Sequence, residues 1–160
     1  MLKSIGFLLQ VLKRVANRCR SAYLYSTVNA EGGGFIGADT TLINPKNIFL
    51  GKRSYINGGM FAATSDSKIR IGNCCMISYG VHMRTDMHNS SRRDVPMIDQ
   101  GHTCKDILVG DNVWIGYGAQ VMGGVSIGSN SIIGAGAVVT KDVPDGAVVV
   151  GVPARIIRQR

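Results

Sequence analysis

The chain has 160 residues, 45% of them apolar, which is enough for one domain with a real core and too few for two ordinary ones. Its formal charge of +8 sits at the two ends: residues 1–20 hold Lys3, Lys13, Arg14, Arg18 and Arg20 with no acid, and residues 155–160 hold Arg155, Arg158 and Arg160. The body between them is neutral, so no nucleic-acid partner is expected, and the basic ends are left for a phosphate-bearing ligand or anionic lipid headgroups.

The four cysteines, Cys19, Cys74, Cys75 and Cys104, lack C-x-x-C spacing and read as reduced thiols of a cytosolic protein. The opening "MLKSIGFLLQVLKR" is a poor signal peptide, because its apolar run contains Gln10, meets Lys13 and Arg14, and precedes no small-residue cleavage site. No run approaches the roughly 18 apolar residues of a membrane span. A cytoplasmic protein is expected, at the inner face of a membrane if its first segment meets one.

That first segment is helical in pattern. Ile5, Leu8, Leu9, Leu12, Val15, Ala16, Cys19 and Tyr23 recur at helical spacing, with the basic residues largely off the stripe. We expect an amphipathic helix in residues 1–25 and a second unit over 26–160. The helix either caps the open end of that unit or makes peripheral membrane contact through residues 3–23.

From Ile36 onward the chain moves in steps of six. IGADTT opens the array, LGKRSY and INGGMF cover 50–61, and IGNCCM, ISYGVH and MRTDMH cover 71–88. From Val109, VGDNVW, IGYGAQ, VMGGVS, IGSNSI, IGAGAV and VTKDVP run to Pro144 without insertion. Each of these last six begins with Val or Ile and carries a small or β-branched fifth residue. A period of six fits neither a helix nor an alternating strand. It fits a chain that turns a corner after each short strand, so that three faces close a coil of 18 residues and successive coils stack at about 4.8 Å. Gly and Asn supply the bends.

The array breaks once, at "MRTDMHNSSRRDVPMIDQGHTCKDILVG". A loop at about 89–108 must leave the coil at a corner, and long loops of this kind are usually functional. His88 is the last residue before it. Asp86, two residues earlier, leaves on the same side if the backbone stays extended. His102, deep in the loop, and His82, at the end of a hexad, read as surface or interface residues.

The repeat, and above all "VGDNVWIGYGAQVMGGVSIGSNSIIGAGAVVTKDVPDGAVVVGVPARIIR", resembles the hexapeptide-repeat acyltransferases, most nearly the bacterial sugar and polysaccharide O-acetyltransferases. The likeness covers roughly residues 36–158. It implies an all-β fold, a left-handed parallel β-helix, assembled as a homotrimer with active sites at the subunit interfaces. It further implies acetyl-CoA as co-substrate, no metal, and a hydroxyl of a sugar or glycan as acceptor.

The family's general base falls on His88. The chemistry asks for such a group: a sugar hydroxyl is a poor nucleophile at neutral pH, and a base that takes its proton during attack on a thioester is typically worth on the order of 10²–10⁴ in rate. Asn57 matches an acceptor-contacting Asn, Asp66 aligns with an acceptor-contacting Asp, and Asp86 and Trp114 lie beside the acceptor. For CoA, Tyr117 and Ala135 match the positions along the pantetheine arm. Thr140, Lys141, Arg155 and Arg158 match those near its phosphates, which accounts for the basic C-terminal end.

Rival readings are a serine or xenobiotic acetyltransferase and a catalytically empty scaffold or binding platform. A carbonic anhydrase would need three histidines converging on a metal, and His82 and His88, six apart, fall on different faces.

Overall fold

Every hexad leader is a core residue. In the computed structural model, which describes residues 2–160, Ile36, Leu50, Ile56, Ile71, Ile77, Met83, Val109, Ile115, Val121, Ile127, Ile133 and Val139 are all buried. A short strand aims alternate side chains inward, and the bend after it restores the inward phase six residues later. The small fifth residues Val113, Ala119, Val125, Ser131, Ala137 and Val143 fill the crowded corners and are buried too. Truncating one leader, such as Ile115 to Ala, costs on the order of 2–5 kcal/mol.

The strands form three parallel sheets that the chain visits in rotation. The first face stacks Asn29–Ala30, Ile48–Leu50, Ile69–Ile71, Ile107–Val109 and Ser126–Ile127. The second stacks Phe35–Ile36, Tyr55–Ile56, Met76–Ile77, Trp114–Ile115, Ile132–Ile133 and Ala147–Val150. The third stacks Thr40–Ile43, Gly59–Ala62, Val81–Arg84, Gln120–Met122 and Val138–Val139. Between the first and second faces the bends are left-handed residues such as Asn112 (φ 55°) and Asn130 (φ 61°). Asn tolerates this backbone, and the two side chains bond across coils at 2.8 Å.

The strict 18-residue step from Ile115 to Ile133 loosens upstream. Ile36 to Ile56 takes 20 residues and Ile56 to Ile77 takes 21. The extra residues sit at the corner between the third and first faces, in a 3₁₀ turn at Pro45–Asn47 and in the bend at 64–67. There the hydroxyls of Thr64, Ser67 and Thr85 join in a chain of 2.6 Å hydrogen bonds, so the widened corner leaves these polar atoms paired.

At the far end of the coil, Arg155–Gln159 turns back antiparallel on Ala147–Val150 and closes the second face. At the near end stands the helix α1, Leu2–Thr27. It meets the coil through its last turns. The Ser21 hydroxyl donates to the Ile36 carbonyl, and Leu24 and Tyr25 pack on the core. Only these last turns cover the near end of the coil. The stripe from Ile5 to Tyr23 is exposed throughout, as is every residue from Ile5 to Arg20, and the residues of the last turns that reach the coil lie on the other side of the helix. No described helix is long and apolar enough to cross a membrane.

Candidate active site

The break in the repeat is a hairpin. Thr85, bonded to the Ala62 carbonyl, is the last residue in the coil; Asp86–His88 then pairs antiparallel with His102–Cys104. The chain is back in the first face by Ile107. The extruded segment therefore starts and ends a few residues earlier than the repeat alone suggests, and Met87, a small-residue position by the hexad count, is exposed.

Strand alternation puts Asp86, His88, His102 and Cys104 on one face of this hairpin, with His88 opposite His102 and Asp86 opposite Cys104. The two imidazole rings lie 4.2 Å apart, centroid to centroid, tilted by 43°. His102 is thus a neighbour of His88 and not an isolated loop residue. Asp86 is held by Arg84 in a two-pronged ion pair, 2.7 Å from Nε and 2.8 Å from Nη2. Hydrogen bonding to that guanidinium keeps its carboxyl below the usual carboxylate range. At neutral pH Asp86 is an anion beside the histidine pair.

The rest of the loop is tied down by its own amides. Asn89 takes the Thr103 hydroxyl at 2.5 Å and donates to the Gln100 carbonyl at 3.0 Å. The Gln100 amide donates to the carbonyls of Arg92 and Val95. The His88 ring thus stands on a braced strand, exposed to solvent.

A second constellation sits at the corner between the second and third faces. Beneath the last turns of α1 lies a cavity of about 560 Å³, lined among others by Arg18, Tyr25, Asp39, Asn57 and Tyr79. Among the described residues the Tyr25 hydroxyl has no hydrogen-bond partner although it is buried. Hydroxyl, amide, carboxylate and guanidinium groups converge here on an apolar wall that includes Phe35. That mix suits a polyhydroxylated ligand.

The same corner continues down the coil as a column. Gly118 N–H donates to the Tyr79 carbonyl at 3.0 Å and Gly136 N–H to the Tyr117 carbonyl at 2.8 Å. Tyr79, Tyr117 and Ala135 are therefore consecutive steps of one line leading from the cavity toward the C-terminal end. At Gly116 only glycine fits, since a Cβ there would stand 2.7 Å from the Ala135 nitrogen.

Near that end, Lys141, Asp142 and Arg155 border a cleft of about 320 Å³ whose apolar walls are Val139, Val143, Val149, Ala154 and Ile156. Asp142 Oδ1 accepts from the Ser126 N–H, and the two exposed cations leave the cleft net positive over an apolar floor, which suits a ligand with phosphates. Thr140 adjoins this cleft in sequence, and Arg158 lies along the closing strand opposite Val148.

The sequence-derived residues thus fall into separate groups. Asn57, Tyr117 and Ala135 share one corner. His88 and Asp86 rise from the next corner, at the other end of the third face, where Asp66 lies exposed one coil earlier. Trp114 faces outward from the second face between Met76 and Ile132. His82 is half-buried in the strand Val81–Arg84, apart from the other two histidines. Among the described residues no three His, Cys, Asp or Glu side chains are grouped to hold a metal ion.

Comparison with known proteins places this architecture. Residues 106–141 match the family described as "Bacterial transferase hexapeptide (six repeats)". The galactoside O-acetyltransferase of Escherichia coli K12 is 36% identical over 116 residues, 71% of this chain and 54% of that protein. The chain spans about half the length of the curated relatives it matches. Among solved structures, a maltose O-acetyltransferase from Clostridium difficile 630 superposes with a TM-score of 0.71 at 30% identity, over 83% of this chain and 69% of that one. A hexapeptide-repeat acetyltransferase of Vibrio cholerae O1 biovar eltor, complexed with acetyl coenzyme A, gives a TM-score of 0.74 at 28% identity, over 86% and 74% of the two chains. The coil of six-residue steps and its single hairpin define a hexapeptide-repeat protein. The chain belongs to the hexapeptide-repeat acetyltransferase family.

Proposed function

We propose that the protein is an acetyl-CoA-dependent O-acetyltransferase acting on a hydroxyl of a sugar or bacterial surface glycan, with His88 as general base. The observation that carries this reading is the line of Asn57, Tyr79, Tyr117 and Ala135 along one corner. It leads from a polar cavity toward the C-terminal end of the coil, where Lys141, Asp142 and Arg155 border a second cleft. Acceptor and donor would approach one another along it.

Acetyl-CoA supplies the acetyl group as a thioester and departs as the thiol. The residues of the chain do the rest. Lys141, Arg155 and Arg158 offer cations to phosphates, with Thr140 beside them, and the backbone at Tyr117 and Ala135 borders the pantetheine arm. Asn57, with Asp66 and Trp114, orients the acceptor. The His88 imidazole takes the proton of the acceptor hydroxyl as its oxygen attacks the thioester carbon, then returns that proton to the departing sulfur. Asp86, clamped by Arg84, stands on the same face of the hairpin as His88 and helps to frame the site.

Within one chain, His88 rises from a different corner than the one bearing Asn57 and Tyr117. We therefore propose that the site closes between two chains of a homotrimer, the hairpin of one subunit reaching the corner of its neighbour. The likeness to the maltose and Vibrio enzymes supports a left-handed coil for this arrangement.

The test is thiol release from acetyl-CoA across a panel of sugars and surface glycans. Release that depends on an added hydroxyl acceptor supports the reading. Binding of acetyl-CoA with no transfer to any hydroxyl, but transfer to an amine such as an aminosugar, would overturn the O-transfer assignment.

A further inference from the structure

From Ile5 to Arg20 every residue of α1 is exposed, Phe7 and Val11 included, and the other apolar residues of that span gather on one stripe. Ile5, Leu8, Leu9, Leu12, Val15, Ala16, Cys19 and Tyr23 sweep an arc of about 120° at 3.6 residues per turn. Leu8, Leu9 and Leu12 are 58%, 60% and 55% exposed, and Tyr23 is 67% exposed. The side chains that fix the helix to the coil, Ser21, Leu24 and Tyr25, project roughly opposite that arc. An amphipathic helix normally buries its apolar side; this one turns it outward.

The polar setting says what covers it. Lys13 and Arg20 border one edge of the stripe and Arg18 lies beyond the other, while Leu2–Thr27 contains no acid at all. A second copy of the helix would bring only more positive charge to these edges. Lipid phosphates answer it, and lysine and arginine stems reach headgroups while their helix lies in the acyl boundary.

We propose that α1 docks the protein on an anionic lipid bilayer, lying in the interfacial plane with the stripe from Ile5 to Tyr23 immersed. The cavity beneath α1 then stands about one helix diameter, roughly 10 Å, from the headgroups. Asp39, an exposed acid, lines that cavity.

The experiment is co-sedimentation of the purified full chain with vesicles of phosphatidylcholine alone or mixed with phosphatidylglycerol. We expect at least about tenfold stronger partitioning to the anionic vesicles, weakening at about 1 M salt where the screening length shrinks to about 3 Å. The double variant Leu9→Asp/Leu12→Asp should lose partitioning while keeping the unfolding temperature and the oligomeric mass of the wild type, since both side chains point away from the coil. Lys13→Ser/Arg20→Ser should lose the preference for anionic lipid. Equal partitioning to both vesicles, or none to either, would overturn the proposal. So would a Leu9→Asp/Leu12→Asp protein that binds vesicles normally but changes its mass, which assigns the stripe to neighbouring copies.

Discussion

His102 stands directly opposite His88 across the extruded hairpin, their rings 4.2 Å apart. An exposed imidazole on its own samples several rotamers, whereas one packed against a second ring is held to few. His102 is accordingly a positioning residue for the proposed base. His102→Ala should lower kcat about tenfold and leave the KM for acetyl-CoA unchanged, since small misplacements near the chemistry are costly. His102→Phe keeps a ring at the contact and should recover most of the loss. Steady-state kinetics of the two variants checks this; equal losses in both would mean that His102 acts through its nitrogens.

The separation of Asn57 from His88 predicts complementation. Asn57→Ala and His88→Ala chains are each expected to be nearly inactive alone. Co-expressed in equal amounts, randomly assembled trimers hold one intact site for about every four. Turnover near a quarter of wild type is the expected readout. Mixed assemblies as inactive as the parents would place both residues in one chain's site.

Lys141 and Arg155 face the same cleft from different segments, and both are exposed. Water screens such charges, so each is worth a modest amount. Lys141→Ala and Arg155→Ala should each raise the KM for acetyl-CoA by about three- to tenfold with little change in kcat, the signature of lost uniform binding.

Cys75 makes a pH prediction. Burial pushes its thiol above the ordinary range, and Sγ lies 3.1 Å from the Gly110 carbonyl. Because the folded pKa is raised, its contribution to stability is present below the unfolded thiol pKa and is lost as pH rises beyond it. Iodoacetamide at mildly alkaline pH should label the exposed Cys19 and Cys74 and reach Cys75 only on unfolding, which peptide mass mapping would read.

The coil was legible because its signal is local and repeated. Each hexad leader from Ile36 to Val139 is buried, and the small fifth residues of 109–144 fill corners as their size requires. The hairpin was legible only as an interruption. Its pairing joins His88 to His102 across a polar segment without alternation, so no short window of sequence contains the contact. Periodicity likewise identified the apolar side of α1 but not what it meets; Ser21, Leu24 and Tyr25, off the stripe, hold the helix to the coil. The cavity beneath it, with Arg18, Asp39 and Tyr79 beside Asn57, follows from that docking, and the sequence pointed only to Asn57.

The most direct test of the central claim is acceptor-dependent turnover of His88→Ala beside the wild type, with acetyl-CoA affinity measured on both. The account predicts a fall of about 10²–10⁴ in kcat with affinity unchanged. Turnover within a few-fold of wild type would contradict it and move the base elsewhere.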